Sequence, residues 1–427
     1  MSADPPLLAP FAGAALTPRA LQALRRLVGV LLQEERGEAS LSEALVEDLR
    51  EQCHPIPPGE WMAMVLRQRV VGLLQSHPLV ARVVPFLPEA LQQQAREERV
   101  AALLLARITV DTVGIFERAG LPVLVIKGLP LALQTTGQIS GRGRSGDLDL
   151  WVDPRHLADA IGHLEQLGFQ REWGEGPQNR EGFRWRYCRW TGYEVTLRRQ
   201  WQTIDLHWAL SYARAEVPEF AEAWHQRETV NLHGRQIPTL SPCHAFLYAC
   251  AHAHKDQWRS LRDLLDIERL SRPLGSADLG TLAGYRSVRL SASVTHALTG
   301  SDALMACALS PQSARYGVAC RQALAAQLRN APVNLREPDE PWTLGFSLRN
   351  GRRMVGLSAA PVDRMRLLLQ VVFPPSLFND PQTGQDRGLG NALLLQLRRL
   401  TPPPAPSPPP RRSPPGPGPQ SPRSGRS

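Results

Sequence analysis

The sequence predicts an α+β protein in which a mixed-sheet core lies between two helical regions, and three observations lead to this prediction. Apolar residues recur at helical spacing through residues 1–120. Short apolar runs and alternating patterns replace that spacing in residues 121–238, and helical patterns return in 239–400. Residues 401–427 hold 12 prolines, so this tail cannot bury a core and is predicted to be disordered.

The N-terminal region opens with a helix-start signal. Thr17 precedes Pro18, which places a capping hydroxyl before a proline at the first helical position. Further helices are predicted over residues 41–52, 60–74 and 89–119. Their apolar stripes are most simply helix-packing faces, so no chemistry is assigned to this region.

The central region is predicted to alternate strands and helices. Its strands are predicted over residues 122–126, 147–152, 184–190, 194–199 and 203–208, and its helices over 130–136 and 153–167. Ser241-Pro242 then predicts the start of the C-terminal helical region.

Lysine is almost absent from the chain. Of 49 basic residues two are lysines, which leaves 47 arginines (49 − 2). Lys127 lies in a Lys-Gly turn that is predicted to join a strand to a helix, and Lys255 lies in a polar cluster with His252. An ammonium group is a compact point charge, unlike the planar guanidinium fork, so both lysines are candidate site residues.

Charge and cysteine content limit the classes of partner and compartment. The net charge is +9, and the tail contributes four arginines and no acids, so the body carries +5 (9 − 4). This charge gives little support for a nucleic-acid partner. Six scattered cysteines without a Cys-x-x-Cys pair argue against a zinc ribbon or disulfide framework. With no secretory signal and no long apolar stretch, we expect a cytoplasmic protein without a membrane partner.

A pair of carboxylates carries the strongest chemical signal. Asp147 and Asp149 are two residues apart in a predicted strand, so both lie on one face. Leu148 and Leu150 form the opposite face and can anchor the strand in a core. Two neighbouring carboxylates repel each other unless a cation lies between them, and hard oxygen ligands select Mg²⁺ or Mn²⁺. A solvated strand face is the simpler alternative.

Three further features strengthen this interpretation. The Lys127-Gly128 turn precedes the pair, and backbone N–H groups at such a junction can hold phosphate oxygens. Arg144 lies three residues before Asp147. A third carboxylate, Asp205, lies in a predicted strand on the face opposite Ile204 and Leu206. Three carboxylates facing a phosphate-binding turn are the ligands that two-metal phosphoryl transfer requires.

In this order the motifs resemble a nucleotidyltransferase family of the DNA polymerase β type, whose members are often associated with biosynthetic gene clusters. The matching segments are Lys-Gly, Arg-Ser-Gly-Asp-Leu-Asp-Leu-Trp-Val and Ile-Asp-Leu-His-Trp, and a helical cluster at His252 and Lys255 extends the match over residues 95–375. The resemblance implies a polymerase β-like core. Enzymes of this type usually carry Gly-Ser where this chain has Lys127-Gly128, so the details of phosphate binding are expected to differ.

The resemblance implies a role for each candidate residue. Asp147 and Asp149 would bind both Mg²⁺ (or Mn²⁺) ions, while Asp205 would bind the ion that activates the acceptor hydroxyl and could serve as its base. Gly128 would let the backbone approach the triphosphate. The charge on the leaving pyrophosphate would be neutralised by either of two cations, Lys127 or Arg144. His252 and Lys255 could reach the nucleotide from the helical domain.

The predicted function is therefore Mg²⁺-dependent transfer of a nucleoside monophosphate from an NTP to a hydroxyl-type acceptor, which could be a small molecule, a peptide or a protein. Two alternatives stay open. One is a non-catalytic module of the same fold that acts through a protein partner. The other is a nucleic-acid-modifying enzyme, which would need a basic, aromatic-lined groove.

Overall fold

The computed structural model describes residues 17–38, 41–143, 145–171, 182–329 and 355–373, together with 390, 391 and 394. The proline-rich tail, predicted to be disordered, lies outside the described residues, as does Arg144.

The N-terminal region forms helices, as the apolar spacing predicts. Helix α1 begins as expected, because the side chain of Thr17 accepts a hydrogen bond from the N–H of Ala20 and Pro18 takes the first position. The helices are α1 (Pro18–Glu35), α2 (Glu43–Cys53), α3 (Pro58–Gln68), α4 (Val71–Leu74), α5 (Pro78–Val83), α6 (Leu87–Ala90) and α7 (Gln92–Arg118). The segment predicted as one helix over residues 60–74 is two helices, because Arg69 adopts a left-handed backbone (φ 56°) that ends α3.

The central region forms a five-stranded mixed sheet with strand order β1-β2-β5-β4-β3. Its strands are β1 (Val123–Val125), β2 (Leu148–Val152), β3 (Gln170–Arg171), β4 (Glu194–Arg199) and β5 (Gln202–His207). Strands β2 and β5 pair in parallel, and the other pairs are antiparallel. The helices of this region are α8 (Gly128–Thr136), α9 (Leu157–Gln166), α10 (Gly182–Thr191) and α11 (Phe220–His225). The predicted mixed helix-and-sheet architecture is confirmed.

The prediction of a strand at residues 184–190 is wrong, because this segment lies within α10. Alternating aromatic and arginine residues imitate the two-residue period of a strand. The buried positions, Cys188 and Thr191, instead follow helical spacing, and the Tyr187 hydroxyl donates to the carbonyls of Leu369 and Phe373 in the C-terminal part of the chain. Tertiary contacts therefore outweigh the alternating sequence pattern in setting the conformation of this segment.

A second sheet was not predicted. It is the antiparallel hairpin of β6 (Glu228–Leu232) and β7 (Arg235–Thr239), which His233 and Gly234 connect with positive φ angles of 52° and 79°. Such a turn matches the twist of the two strands.

The C-terminal region is helical, and Ser241 caps its first helix by accepting from the N–H of His244. The helices are α12 (Pro242–Lys255), α13 (Leu261–Ser271), α14 (Ser276–Leu282), α15 (Arg286–Thr299), α16 (Ala314–Leu328) and α17 (Pro361–Val372). Among the described residues, no helix is long and apolar enough to cross a membrane.

Two hydrophobic cores cover the two faces of the sheet. Leu148 and Leu150 pack into one core with α7 and α9, whereas Trp151, on the opposite face of β2, belongs to a second core that the helices build. This second core takes residues from both ends of the chain, because α1 packs against α15 and α16. The N-terminal and C-terminal helices thus form one body, and the sequence-based boundaries at 120, 238 and 400 stay predictions.

Gln68 joins distant parts of this helical body. Its side-chain amide is fully buried, donates to the backbone carbonyl of Gln327 (3.1 Å) and accepts from the N–H of Leu261 (3.0 Å). The backbone carbonyl of Gln68 accepts a hydrogen bond from the hydroxyl of Ser260 (3.2 Å).

We expect Gln68→Ala to lower the free energy of unfolding by about 2–4 kcal/mol, because the carbonyl of Gln327 and the N–H of Leu261 are buried and lose their partner. Urea unfolding measures this change. The exposed Gln93→Ala should have little effect, and an equally small loss in Gln68→Ala would contradict the prediction.

Candidate active site

A cavity of about 610 Å³ lies between one edge of the sheet and the helical body. Four predicted site residues from the sheet side line it: Lys127, Gly128, Asp147 and Asp149. His252 lines it from α12. Its remaining polar lining consists of Arg69, Gln94, Glu98, Arg142, Ser145, Tyr248, Asp256, Arg259, Arg262, Asp263 and Asp266. The size suits a small-molecule ligand.

The sheet brings two of the predicted carboxylates side by side. Strands β2 and β5 are parallel, and their register pairs Asp149 directly with Asp205. Both side chains therefore project from the same face of the sheet, opposite the core face of Leu148 and Ile204. Asp147 lies just before β2 on that same side. Asp205 lies outside the cavity lining, paired with Asp149 on the neighbouring strand.

Lys127 is bound to a carboxylate. Its Nζ lies 3.3 Å from Oδ1 of Asp149 and 5.3 Å from the ring centroid of Tyr248. Burial alone would lower the pKa of Lys127, but Asp149, Tyr248 and Glu194 raise it well above its usual value. The ammonium is therefore charged and forms an ion pair with the carboxylate of Asp149.

Gly128 follows as the first residue of α8 and has a φ of +59°. A side chain would be strained in this backbone, so the turn requires glycine. The position brings backbone N–H groups at the start of α8 to the cavity beside the carboxylates.

His207 stabilises Asp149 from the neighbouring strand. Its Nε2 lies 3.1 Å from Oδ1 of Asp149, and its Nδ1 lies 3.4 Å from Glu194. The pairing of Asp149 with two basic groups, together with the complete burial of His207, indicates a positioning contact within the sheet layer.

The three aspartates have different proton affinities. Burial favours the neutral form of Asp149, but Lys127 and His207 outweigh it and hold the pKa of Asp149 below its usual range. The pKa of Asp147 is raised, chiefly by the charge of Asp149. Burial and then the charges of Glu194, Asp149 and Asp147 raise the pKa of Asp205 to about 9, although Thr196 donates to it at 2.6 Å.

We expect Asp205→Asn to stabilise the metal-free protein. The pKa of Asp205 is higher in the folded chain than in the unfolded chain, so wild-type stability falls as pH rises from the ordinary carboxyl range towards pH 9. Asparagine removes that loss and can still accept from Thr196. In EDTA at pH 8 the variant should melt about 2–4 °C higher. Calorimetry between pH 5 and 9 checks this prediction. A difference in melting temperature between variant and wild type that does not grow with pH would contradict it.

The donor set fits a hard divalent cation. The charge of Asp149 raises the pKa of Asp147, and burial followed by the neighbouring carboxylates raises the pKa of Asp205; a cation between these side chains relieves the repulsion. In the part of the chain that the structure describes, no three His, Cys, Asp or Glu side chains are already gathered around one point. Metal binding by Asp147, Asp149 and Asp205 thus stays a prediction.

The helical side of the site places its two predicted residues differently. His252 faces the cavity, and burial, followed by the charges of Lys127 and Lys255, holds its pKa well below the usual value, so the ring is neutral. Lys255 lies beyond the cavity lining, where its Nζ contacts the hydroxyl of Tyr193 at 3.2 Å and lies over that ring.

Several site residues were missed at the sequence level. Tyr248 precedes His252 by four residues on α12, so helical spacing places it on the same face. Glu194 and Thr196 alternate on β4 and pair with His207 and Asp205, so two-residue spacing was the available signal. The arginines that line the cavity are Arg69, Arg142, Arg259 and Arg262. No local pattern marks them in an arginine-rich chain.

Comparison with known proteins gives one match. The model of a family described as uncharacterised nucleotidyltransferase matches residues 54–299, which is more than half of the chain. The chain belongs to this nucleotidyltransferase family. No curated protein and no solved structure matches it. The matched residues include both strands that carry the carboxylates and the helices α12 and α13 that face them, so the nucleotidyltransferase domain comprises the whole cavity.

Proposed function

We propose that the protein transfers a nucleoside monophosphate from an NTP to a hydroxyl-type acceptor in a reaction that requires Mg²⁺ or Mn²⁺. The observation that carries the proposal is the parallel register that sets Asp149 beside Asp205, with Asp147 next to them at the cavity. The order of the Lys-Gly, Asp-Leu-Asp and Ile-Asp-Leu-His-Trp segments supports a core of the DNA polymerase β type.

The roles of the residues follow from their positions. Asp147 and Asp149 would hold the metal ions, which supply charge neutralisation and a lowered pKa of the acceptor hydroxyl. The acceptor oxygen attacks the α-phosphorus, the bond from that phosphorus to the bridging oxygen breaks, and pyrophosphate leaves. Asp205 would accept the hydroxyl proton once a bound cation has lowered its raised pKa, and the start of α8 at Gly128 would donate backbone N–H groups to phosphate oxygens. Lys127 neutralises the carboxylate of Asp149 and orients that side chain through a hydrogen bond.

The charge of the cavity supports the metal requirement. Five cationic side chains and six carboxylates line it. The carboxylates are Glu98, Asp147, Asp149, Asp256, Asp263 and Asp266, and the cations are Lys127 and the four arginines. A triphosphate would therefore enter a cavity with no net positive charge, so divalent cations must accompany it.

The alternative is a non-catalytic module of the same fold that acts through a protein partner. One observation favours it: Asp149 already has two basic partners, Lys127 and His207. A carboxylate that is satisfied within the protein has a smaller gain from binding a metal.

Isothermal titration with each of the four NTPs, with Mg²⁺ and with EDTA, tests the proposal. We expect Mg²⁺-dependent binding of at least one NTP by the wild-type chain and none by Asp147→Asn/Asp149→Asn. Incubation of that NTP, labelled at the α-phosphate, with candidate acceptors should then release pyrophosphate and label the product. If the folded wild-type chain binds no NTP in Mg²⁺, the non-catalytic module is the better description.

A further inference from the structure

A second cavity, of about 460 Å³, lies among the C-terminal helices. Its volume is within the range of small-molecule pockets, roughly 300–1,000 Å³. It shares no lining residue with the candidate active site. His252 lines the active site and His254 lines the second cavity, and side chains two residues apart on a helix point about 200° apart. Helix α12 therefore lies between the two cavities, and a ligand in the second would not touch the aspartates.

Three arginines line the second cavity, and no carboxylate is among its lining residues in the described part of the chain. Arg286 and Arg289 lie within the first four residues of α15, and Arg315 is the second residue of α16. The charge of Arg286 also acts on the buried carboxyl of Glu216, which is outside the cavity. Arg289 and Arg315 are both exposed, and no salt bridge links either of them to a described acidic residue. The cavity thus gathers positive charge that nothing in its described lining neutralises.

The two helix starts beside this cavity add to its preference for negative charge. Acidic side chains usually offset the partial positive charge of a first helical turn, but neither α15 nor α16 has one there. At α15 the carboxylate of Glu216 accepts from the N–H and the hydroxyl of Ser287, at 2.8 and 2.9 Å. At α16 the neutral hydroxyl of Ser313 accepts from the N–H of Arg315 at 3.2 Å. An anion near the start of α16 would therefore gain from the helix dipole as well as from the arginines.

The rest of the lining is largely apolar. Three larger side chains, Leu290, Leu309 and Val318, line the cavity together with three alanines. Val318 is 43% exposed, so this apolar surface is open to water. A hydrated inorganic anion would leave it in water, whereas an anion with an apolar body would cover it, and burial of apolar area is favourable. The lining therefore selects an anion that is also apolar.

We propose that the second cavity binds a small amphipathic anion of the class of medium-chain carboxylic acids. Its carboxylate pairs with the guanidinium groups, which can each bind two oxygens through parallel N–H bonds. Its apolar body packs on Leu290, Leu309 and Val318. This inference does not rest on the proposed function, because no residue of the active-site cavity takes part in it.

Isothermal titration of the full chain with hexanoate, octanoate and decanoate tests the site. We expect one molecule to bind per chain, and the affinity to rise about threefold with each added methylene, as apolar burial predicts. Decanol has the same apolar body without the charge, so it should bind at least tenfold more weakly than decanoate.

Variants of the lining test the two halves of the site separately. Arg289→Gln/Arg315→Gln should weaken decanoate binding about tenfold or more, since it removes two charge-assisted contacts. Val318→Asp should weaken it at least as much, because it places a negative charge on the apolar surface. Arg321→Gln is the matched control, since Arg321 is also exposed on α16 but does not line the cavity.

Each outcome decides for or against the site. Loss of decanoate binding in the folded lining variants, with normal binding by Arg321→Gln, would support it. The proposal would be overturned if the wild-type chain bound no decanoate, if decanol bound equally well, or if the lining variants bound decanoate normally. Because NTP takes no part in these titrations, the result stands whether or not the chain transfers nucleotides.

Discussion

Asp149→Asn is expected to lower nucleotidyl transfer by about a thousand-fold, because a metal ligand supplies several kcal/mol of transition-state stabilisation and each 1.36 kcal/mol is tenfold in rate. Asparagine keeps the shape of the side chain and removes its charge. The measurement is the rate of pyrophosphate release at saturating NTP and Mg²⁺. Because Asp149 also holds Lys127 and His207, the melting temperature of the variant must be recorded alongside the rate.

Two variants complete this experiment. Asp147→Asn should lose activity to a similar extent without losing stability, since the charge of Asp147 is opposed by that of Asp149 in the folded chain. Asp153→Asn is the control, because Asp153 caps the turn at Arg155 just beyond β2 and asparagine can cap equally well. Near-normal transfer by folded Asp149→Asn would show that the aspartate pair is not the catalytic centre.

Lys127→Met is expected to lower the free energy of unfolding by about 3 kcal/mol at neutral pH, because it leaves the buried carboxylate of Asp149 without one of its partners. The pKa of Asp149 is lowered in the wild-type fold, so the pair contributes stability above the ordinary carboxyl pKa and loses it as pH falls. The difference in the free energy of unfolding between variant and wild type should therefore become smaller towards acid pH. Urea unfolding at pH 4 and pH 7.5 measures it.

Mg²⁺ provides the decisive control for this variant. If Asp149 binds a cation, Mg²⁺ should restore part of the lost stability in Lys127→Met, and it should do so less in Lys127→Met/Asp149→Asn. Arg155→Met, which removes the exposed cationic partner of Asp153, should change stability little. A Lys127→Met chain that is as stable as wild type at pH 7.5 would contradict a structural role for the ammonium.

The sheet side of the site was largely predictable from the sequence. Asp149 and Asp205 each lie between apolar residues that face a core, so two-residue spacing gives the face of each carboxylate. What local spacing does not give is the pairing of the two strands. The parallel register of β2 and β5 joins residues more than 50 positions apart, beyond the reach of any local pattern.

The helical side was not predictable in the same way. Arg69 and Arg262 both line the cavity because Gln68 and its partners fix the end of α3 against the start of α13. That contact depends on the packing of whole helices, and an arginine-rich sequence offers no contrast by which to select these two. The strand predicted at residues 184–190 failed for a related reason, since contacts of α10 with α17 outweigh a local alternation.

The shared helical core has a consequence for the order in which the chain can fold during synthesis. Arg25 on α1 binds the side chain of Gln327 on α16, and α1 also packs on α15. A ribosome that adds 5–20 residues per second has therefore released α1 for about 15 seconds or more before its partners appear. During that interval α2 and α3 can cover part of the apolar face of α1, but the surfaces of α15 and α16 are still missing. Nascent chains stalled near residue 240 should thus be sensitive to proteases in their first helices and should recruit chaperones, whereas chains stalled well beyond residue 330 should resist cleavage.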